Sequence, residues 1–355
     1  MIYRLMEVKK LLREKLFVIF MVLCLCLNIG LCFSNPGTRT AVNKLSQSGE
    51  LLQGEKIYDT LDTDVIGSFY YNERYLKSSL LNQWIKAKYE KLQQSVDLLD
   101  AEDADLSYFA GEITPSVHEA LFVYQLKTLM IECIILLSLF GIRSFEMEQQ
   151  TEMAALLYSS GRGRKIAKDK ILANGIVGAL YCLVLIFVSL AVFFASWDFG
   201  RLWDANMASS FHYVIDSDDP IFGKPFLTWQ SFTLKRYFAC TLVLMAGILL
   251  AWWLLTNLVV LLTRNIRYGW MALTALLVLP FFGLILFSEL HLPRLFYMDT
   301  LTLPIVIYCS QWWFTDLGNY SLFAYQEVWT VSLHLLFLAG GLMAGMHYFK
   351  RKELA

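Results

Sequence analysis

The chain has 355 residues, 57% of them hydrophobic and only 17% charged, with a mean hydropathy of +0.48 and a formal net charge of −1. That composition excludes an ordinary soluble domain, and no nucleic-acid partner is expected of it. It reads as an all-α polytopic membrane protein with six transmembrane helices, both termini cytoplasmic, and a helical extracellular insertion between the first and second helices.

In chain order, residues 1–15 alternate Ile2, Met6 and Leu12 with Arg4, Lys9, Lys10 and Arg13, either an amphipathic helix lying on the inner interface or a basic flank that sets topology. The apolar run at 16–34 meets the length of about 20 residues that a bilayer crossing needs. It lacks a small-residue cleavage site and is expected to be a retained helix rather than a signal peptide. Residues 35–120 form the one sizeable outer part. Within it Leu81, Ile85, Tyr89, Leu92, Val96 and Leu99 recur at helical spacing, and a weaker run at Val42, Leu45 and Leu52 is expected to supply a partner helix in a hairpin.

The second span is expected at 124–142, followed by a cytoplasmic region at 143–170 and a third span at 171–195. In the cytoplasmic region Phe145, Met153, Leu156 and Leu157 are spaced for a short helix, with Glu146, Glu148 and Glu152 on its other sides. Ser159, Ser160, Gly161 and Gly163 break it, and a basic run leads into the third span. An outer loop at 196–236, a fourth span at 237–263, an inner loop at 264–269 and a fifth span at 270–288 follow. The outer loop at 289–327 contains LPIVIYCSQWWF, too short to cross and expected to dip into the outer leaflet, with Trp312 and Trp313 at headgroup depth. A sixth span at 328–349 and a tail at 350–355 complete the chain.

Basic residues set the orientation. With both termini inside, 16 of the 30 Lys and Arg fall on the inner segments, whereas Asp59, Asp62, Asp64, Asp97, Asp100, Glu102, Asp103, Asp105, Asp216, Asp218 and Asp219 fall outside. The seven cysteines show neither disulfide nor zinc spacing, so no metal site is expected. The expected location is the plasma membrane of a Gram-positive bacterium, where external disulfides are not relied on.

Polar groups inside spans mark functional sites by default. Asn28, Glu132, Asn257 and His334 are the candidates for a substrate pathway, although the asparagines and the histidine also suit bonds between helices. Glu132 either faces a wet pathway, snorkels, or pairs with another span. Gly340, Gly341 and Gly345 mark close helix approach, within the chain or at a dimer seam.

The order of features resembles that of a type-2 ABC transporter permease: an N-terminal basic helix, six spans, a large loop after the first, F-E-x-E after the second, S-S-G-R-G-R before the third, the inner loop RNIRYG and the tail FKRKEL. The resemblance covers most of the chain outside 35–120. It implies that Glu146, Glu148, Glu152, Arg162 and Arg164 belong to a coupling element that docks on ABC ATPase subunits. It also implies a second permease subunit, as homo- or heterodimer, and export of a lipid, peptide or drug. No G-x-x-x-x-G-K-[ST] occurs, so ATP and Mg are expected in the partner ATPase and no cofactor in this chain. Two other classes compete: a membrane enzyme, for which no matched catalytic constellation is visible, and a non-transporting sensor or immunity protein that binds a peptide through its outer domain.

Overall fold

The computed structural model describes residues 2–48, 52–70, 79–150, 163–214, 224–263 and 266–352. About 79% of it is helical. Among the described residues, six helices are long and apolar enough to cross a membrane: Lys15–Cys32, Gly111–Glu146, Ile166–Ser196, Leu234–Thr263, Arg267–Glu289 and Gln326–His347. They are called spans 1 to 6 below. A two-stranded antiparallel ribbon, Tyr213–Val214 against Lys224–Pro225, is a minor addition in the half of the molecule opposite the N-terminal helix, the half called outer below.

Span 2 is the axis of the bundle. In it 67% of the apolar window is buried, against 17–39% in the others. It packs on spans 3 and 4, span 4 carries span 6 and span 5, and span 1 lies on span 3. Small residues permit the closest crossings. A Cβ at Gly141 of span 2 would stand 2.5 Å from Thr256 Cγ2 of span 4. Cβ atoms at Gly341 and Gly345 of span 6 would stand 3.2 and 3.3 Å from the Leu258 side chain, so these two glycines serve a contact within the chain, while Gly340 faces open space. The outward faces carry exposed apolar side chains, including Leu23, Leu27, Leu183, Phe187, Val243, Leu279, Phe282, Leu336 and Phe337, as a lipid-facing surface requires.

The helical stretch that holds span 2 begins near Gly111, ahead of the crossing expected at 124–142, and the polar residues of this extension, His118 among them, are buried against protein. Its helix, α7 (Lys127–Gln150), then runs on without a break through Phe145 and Glu146. The first part of the expected separate cytoplasmic helix is thus a continuation of span 2, no helix breaker standing between Ile142 and Gln150. The remainder, with Glu152, Ser159, Ser160 and Arg162, lies outside the described residues. Span 3 belongs to a helix of 34 residues, α8 (Gly163–Ser196), about 51 Å long against a hydrocarbon core of about 30 Å. Its surplus turns carry the basic run.

The outer segments fold together rather than as a hairpin. The stripe Ile85, Tyr89, Leu92, Val96 and Leu99 of α5 (Ser79–Ala101) is buried, but its helical neighbour is α4 (Thr63–Tyr70). The helix α3 (Pro36–Ser48), with Val42, packs instead on α6 (Thr114–His118) and the turn at Gly200–Asp204. Tyr58 and Ile66 join Ala208, Leu227, Trp229, Tyr297 and Leu322 around the α5 stripe, so all three outer segments share one apolar core. Trp313 is also part of the interior. It is buried and donates its indole N–H to Val306 O at 2.9 Å, which removes it from the headgroup role expected of it.

Candidate functional site

At the basic end of the bundle, four buried polar side chains from spans 2, 3 and 4 form one knot. Lys170 and Asn174 stand one turn apart on α8, in register with the buried Ile166, Ala173 and Val177. The Lys170 ammonium donates to Ser144 O at 3.0 Å and lies 5.2 Å from the centre of the Phe145 ring. Asn174 Nδ2 donates to Ser144 Oγ at 3.1 Å and to Asn257 Oδ1 at 2.9 Å, while its Oδ1 accepts from Trp253 Nε1 at 2.8 Å. Polar groups in hydrocarbon are costly unless paired, and paired across helices they hold those helices in one arrangement.

Ion pairs brace the same end from outside. Arg143 bridges Glu14 at 3.0 Å and Glu146 at 2.8 Å. Arg4 of α1 (Ile2–Leu12) holds Asp169 at 2.9 Å, and Leu11 is fully buried. The N-terminal helix is thereby packed on the start of span 3. Of the residues expected to dock on an ATPase, Glu146 already shares its carboxylate with Arg143. Glu148 and Arg164 lie on described helical backbone, but their side chains lie outside the described part, as do Glu152 and Arg162 entirely.

The expected pathway residues separate into three places. Asn28 of span 1 and Glu132 of span 2 meet, with Asn28 Nδ2 donating to Glu132 Oε2 at 2.5 Å. Gln125 Nε2 donates to Asn28 Oδ1 at 3.1 Å, and all three are buried. Glu132 thus pairs with another span. Asn257 belongs to the basic-end knot. His334 is half-buried on span 6 and its Nδ1 lies 2.8 Å from Thr330 O one turn back, apart from both groups.

No family model, curated protein or solved structure matches this chain.

The outer end holds groups that hydropathy passes over. Lys127 caps the short helix Leu303–Tyr308, donating to Tyr308 O at 2.6 Å and to Gln311 Oε1 at 2.9 Å. The segment expected to dip into the outer leaflet is thus fastened over the ends of spans 2 and 4. Beside it the His118 and His212 rings lie 4.7 Å apart, tilted at 47°, among Phe122, Phe226 and Tyr237. His118 Nε2 lies 2.7 Å from Gln311 O, and His212 Nδ1 lies 2.8 Å from Met207 O. Further out, Lys88 of α5 reaches Asp316 Oδ1, Gly318 O and Ser321 O at 2.9, 2.9 and 3.2 Å, and Lys224 lies 3.6 Å from the other carboxylate oxygen. Burial pushes the Lys88 ammonium down from its ordinary value, opposed by Asp316 and reinforced by Lys224. Burial would raise the Asp316 carboxyl, but the two lysines and the Gly318 N–H hold it at about 2.

Burial, and then the neighbouring His118, hold the His212 imidazole well below its ordinary value of 6.5. The folded state keeps it neutral while the unfolded chain takes up a proton, so its contribution to stability is complete above about 6.5 and declines as the pH falls below that value. Melting curves of the detergent-solubilised protein between pH 8 and pH 5 should show the intact chain losing stability relative to His212→Phe as the pH falls, at most about 1.4 kcal/mol per pH unit for this one group; an unchanged slope in the variant would contradict the assignment.

Among the described residues no group of three or more His, Cys, Asp or Glu is placed to hold a metal ion, and the seven cysteines are free thiols.

Proposed function

We propose that the chain is the transmembrane permease subunit of an ATP-driven ABC exporter in the plasma membrane of a Gram-positive bacterium, with both termini cytoplasmic and ATP hydrolysis in a separate subunit. The observation that carries this reading is the knot of Lys170, Ser144, Asn174, Asn257 and Trp253 at the base of the connection between spans 2 and 3. A topology-setting loop needs only basic charge. Two helices that run on past the apolar run at the basic end, tied to a third by buried amides, make a lever that carries a push from a docked partner into the bundle. In this reading Glu148, Glu152, Arg162 and Arg164 offer the ATPase a mixed-charge docking face. Glu146 positions that face through Arg143, and Asn28 with Glu132 marks a polar point on the route between spans 1 and 2.

The reading is tested by co-expressing the full chain with the ATPase encoded beside it and isolating the complex in mild detergent. Recovery of two ATPase subunits per pair of permease chains is the expected result. Recovery of a folded chain alone, with that ATPase and with others from the same genome, would reject the exporter reading in favour of an outer-domain sensor.

A further inference from the structure

Spans and ectodomain meet at an apolar cleft of about 700 Å³, and neither the pathway nor the coupling knot uses it. One wall is a single face of α5: Trp84, Ala87, Lys88 and Lys91 stand at the i, i+3, i+4, i+7 positions of a helix. The opposite wall is Trp329 and Leu333, in the first turns of span 6, with Phe323 and Ala324 between the two. Trp84 meets the Phe323 ring edge-on at 6.1 Å and still leaves half its surface exposed.

Two observations say what fills it. The span 6 wall continues down the same helix face into Leu336 and Phe337, which are 72% and 76% exposed and belong to the lipid-facing side. The cleft thus opens into the outer leaflet, at the depth where a tryptophan such as Trp329 is favoured. Its lining carries the exposed Lys91, which bonds the neutral Gln94 at 3.3 Å, whereas Glu90 faces Lys86 at 4.0 Å on another side of α5. The second lining ammonium, Lys88, is turned away to Asp316. An apolar trough leading from the leaflet to one available cation fits an acyl chain below an anionic headgroup.

We infer that the cleft between α5 and the outer end of span 6 is a binding site for one anionic phospholipid of the outer leaflet, with its phosphate on Lys91 and an acyl chain along Trp329, Leu333 and Phe337. The lipid docks the outer core onto the membrane surface. This holds whether or not the chain is an exporter, because occupancy is read on the isolated chain.

The test is native mass spectrometry of the full chain in neutral detergent, titrated separately with phosphatidylglycerol and phosphatidylcholine. The intact chain should retain one phosphatidylglycerol at concentrations where phosphatidylcholine dissociates. Lys91→Glu should weaken phosphatidylglycerol about tenfold and leave phosphatidylcholine unchanged. Ala87→Trp, which fills the trough, should weaken both. Equal retention of the two lipids by the intact chain, or unchanged phosphatidylglycerol binding in Lys91→Glu, would overturn the inference. So would a lipid-independent dimer abolished by Ala87→Trp, which would make a second copy the occupant. Lys91 is exposed on its helix, so Lys91→Glu remains decisive even where Ala87→Trp does not fold.

Discussion

Asp316→Ala should destabilise the outer core by about 3–5 kcal/mol, the largest effect expected of any single substitution in this half of the molecule. The carboxylate is 1% exposed and stands between two lysines, one of them equally buried. Removing it leaves the Lys88 ammonium without its counter-ion and opens the joint between α5 and the loop after the fifth span. Lys88→Met should cost less, because Asp316 keeps Lys224 at 3.6 Å and the Gly318 N–H at 3.2 Å. Hydrogen exchange of the α5 amides in detergent checks both the size and the order. The reverse order, or two small effects, would mean that the apolar stripe alone fixes α5. The pH dependence carries a second signature. Because Asp316 is held at about 2 against an ordinary 3.8, its stabilisation is complete above about 3.8 and is lost only as the pH falls toward 2. It therefore adds nothing to the decline expected from His212 at milder acidity.

On the exporter reading, Asn174→Leu should separate transport from nucleotide hydrolysis. The substitution leaves the Trp253 indole N–H and Asn257 Oδ1 without the partner they share, at a cost of about 1–3 kcal/mol. A bundle held also by the Gly141 crossing and by the Arg143 and Arg4 ion pairs should survive that loss. The link between span 3 and span 4 should not. In proteoliposomes containing the ATPase complex, the number of substrate molecules moved per ATP should fall about tenfold while ATPase binding persists. Asn174→Asp, which keeps the acceptor for Trp253 but loses the amide donor, should fall between the two. Equal transport per ATP in all three would show that the knot is packing and nothing more.

Much of this framework was legible in the residue pattern, because a run of about 20 apolar residues has few fates. Five of the six spans fall close to where hydropathy places them, and the α5 stripe at Ile85, Tyr89, Leu92, Val96 and Leu99 is the buried face its spacing predicts. Spacing did not reveal which helix lies against that face. Val42 and Tyr58 both precede α5 in the chain, and Tyr58 joins the α5 core through Ala208, Leu227, Trp229, Tyr297 and Leu322, while Val42 falls in the other core. Buried charges were hidden for a related reason. Lys88 and Lys170 each occupy a position in register with buried apolar residues, Lys88 three residues after Ile85 and Lys170 four after Ile166. A lysine in such a register is the visible signal of a paired cation. Their partners, Asp316 and the Ser144 carbonyl, are 228 and 26 residues away and have no local signature. The pathway residues divided similarly: Asn28 and Glu132 converge, while Asn257 is drawn into the knot by Asn174.

The most direct test of the exporter reading is ATP hydrolysis by the co-purified complex in lipid nanodiscs, with the intact chain and with Glu148→Lys and Glu152→Lys combined. This pair spares Glu146, whose carboxylate braces Arg143 at 2.8 Å. The account predicts that the intact chain binds and stimulates the ATPase, and that the double variant keeps its fold but loses binding and stimulation together. A double variant that binds and stimulates as the intact chain does would contradict the assignment of this connection as the coupling element.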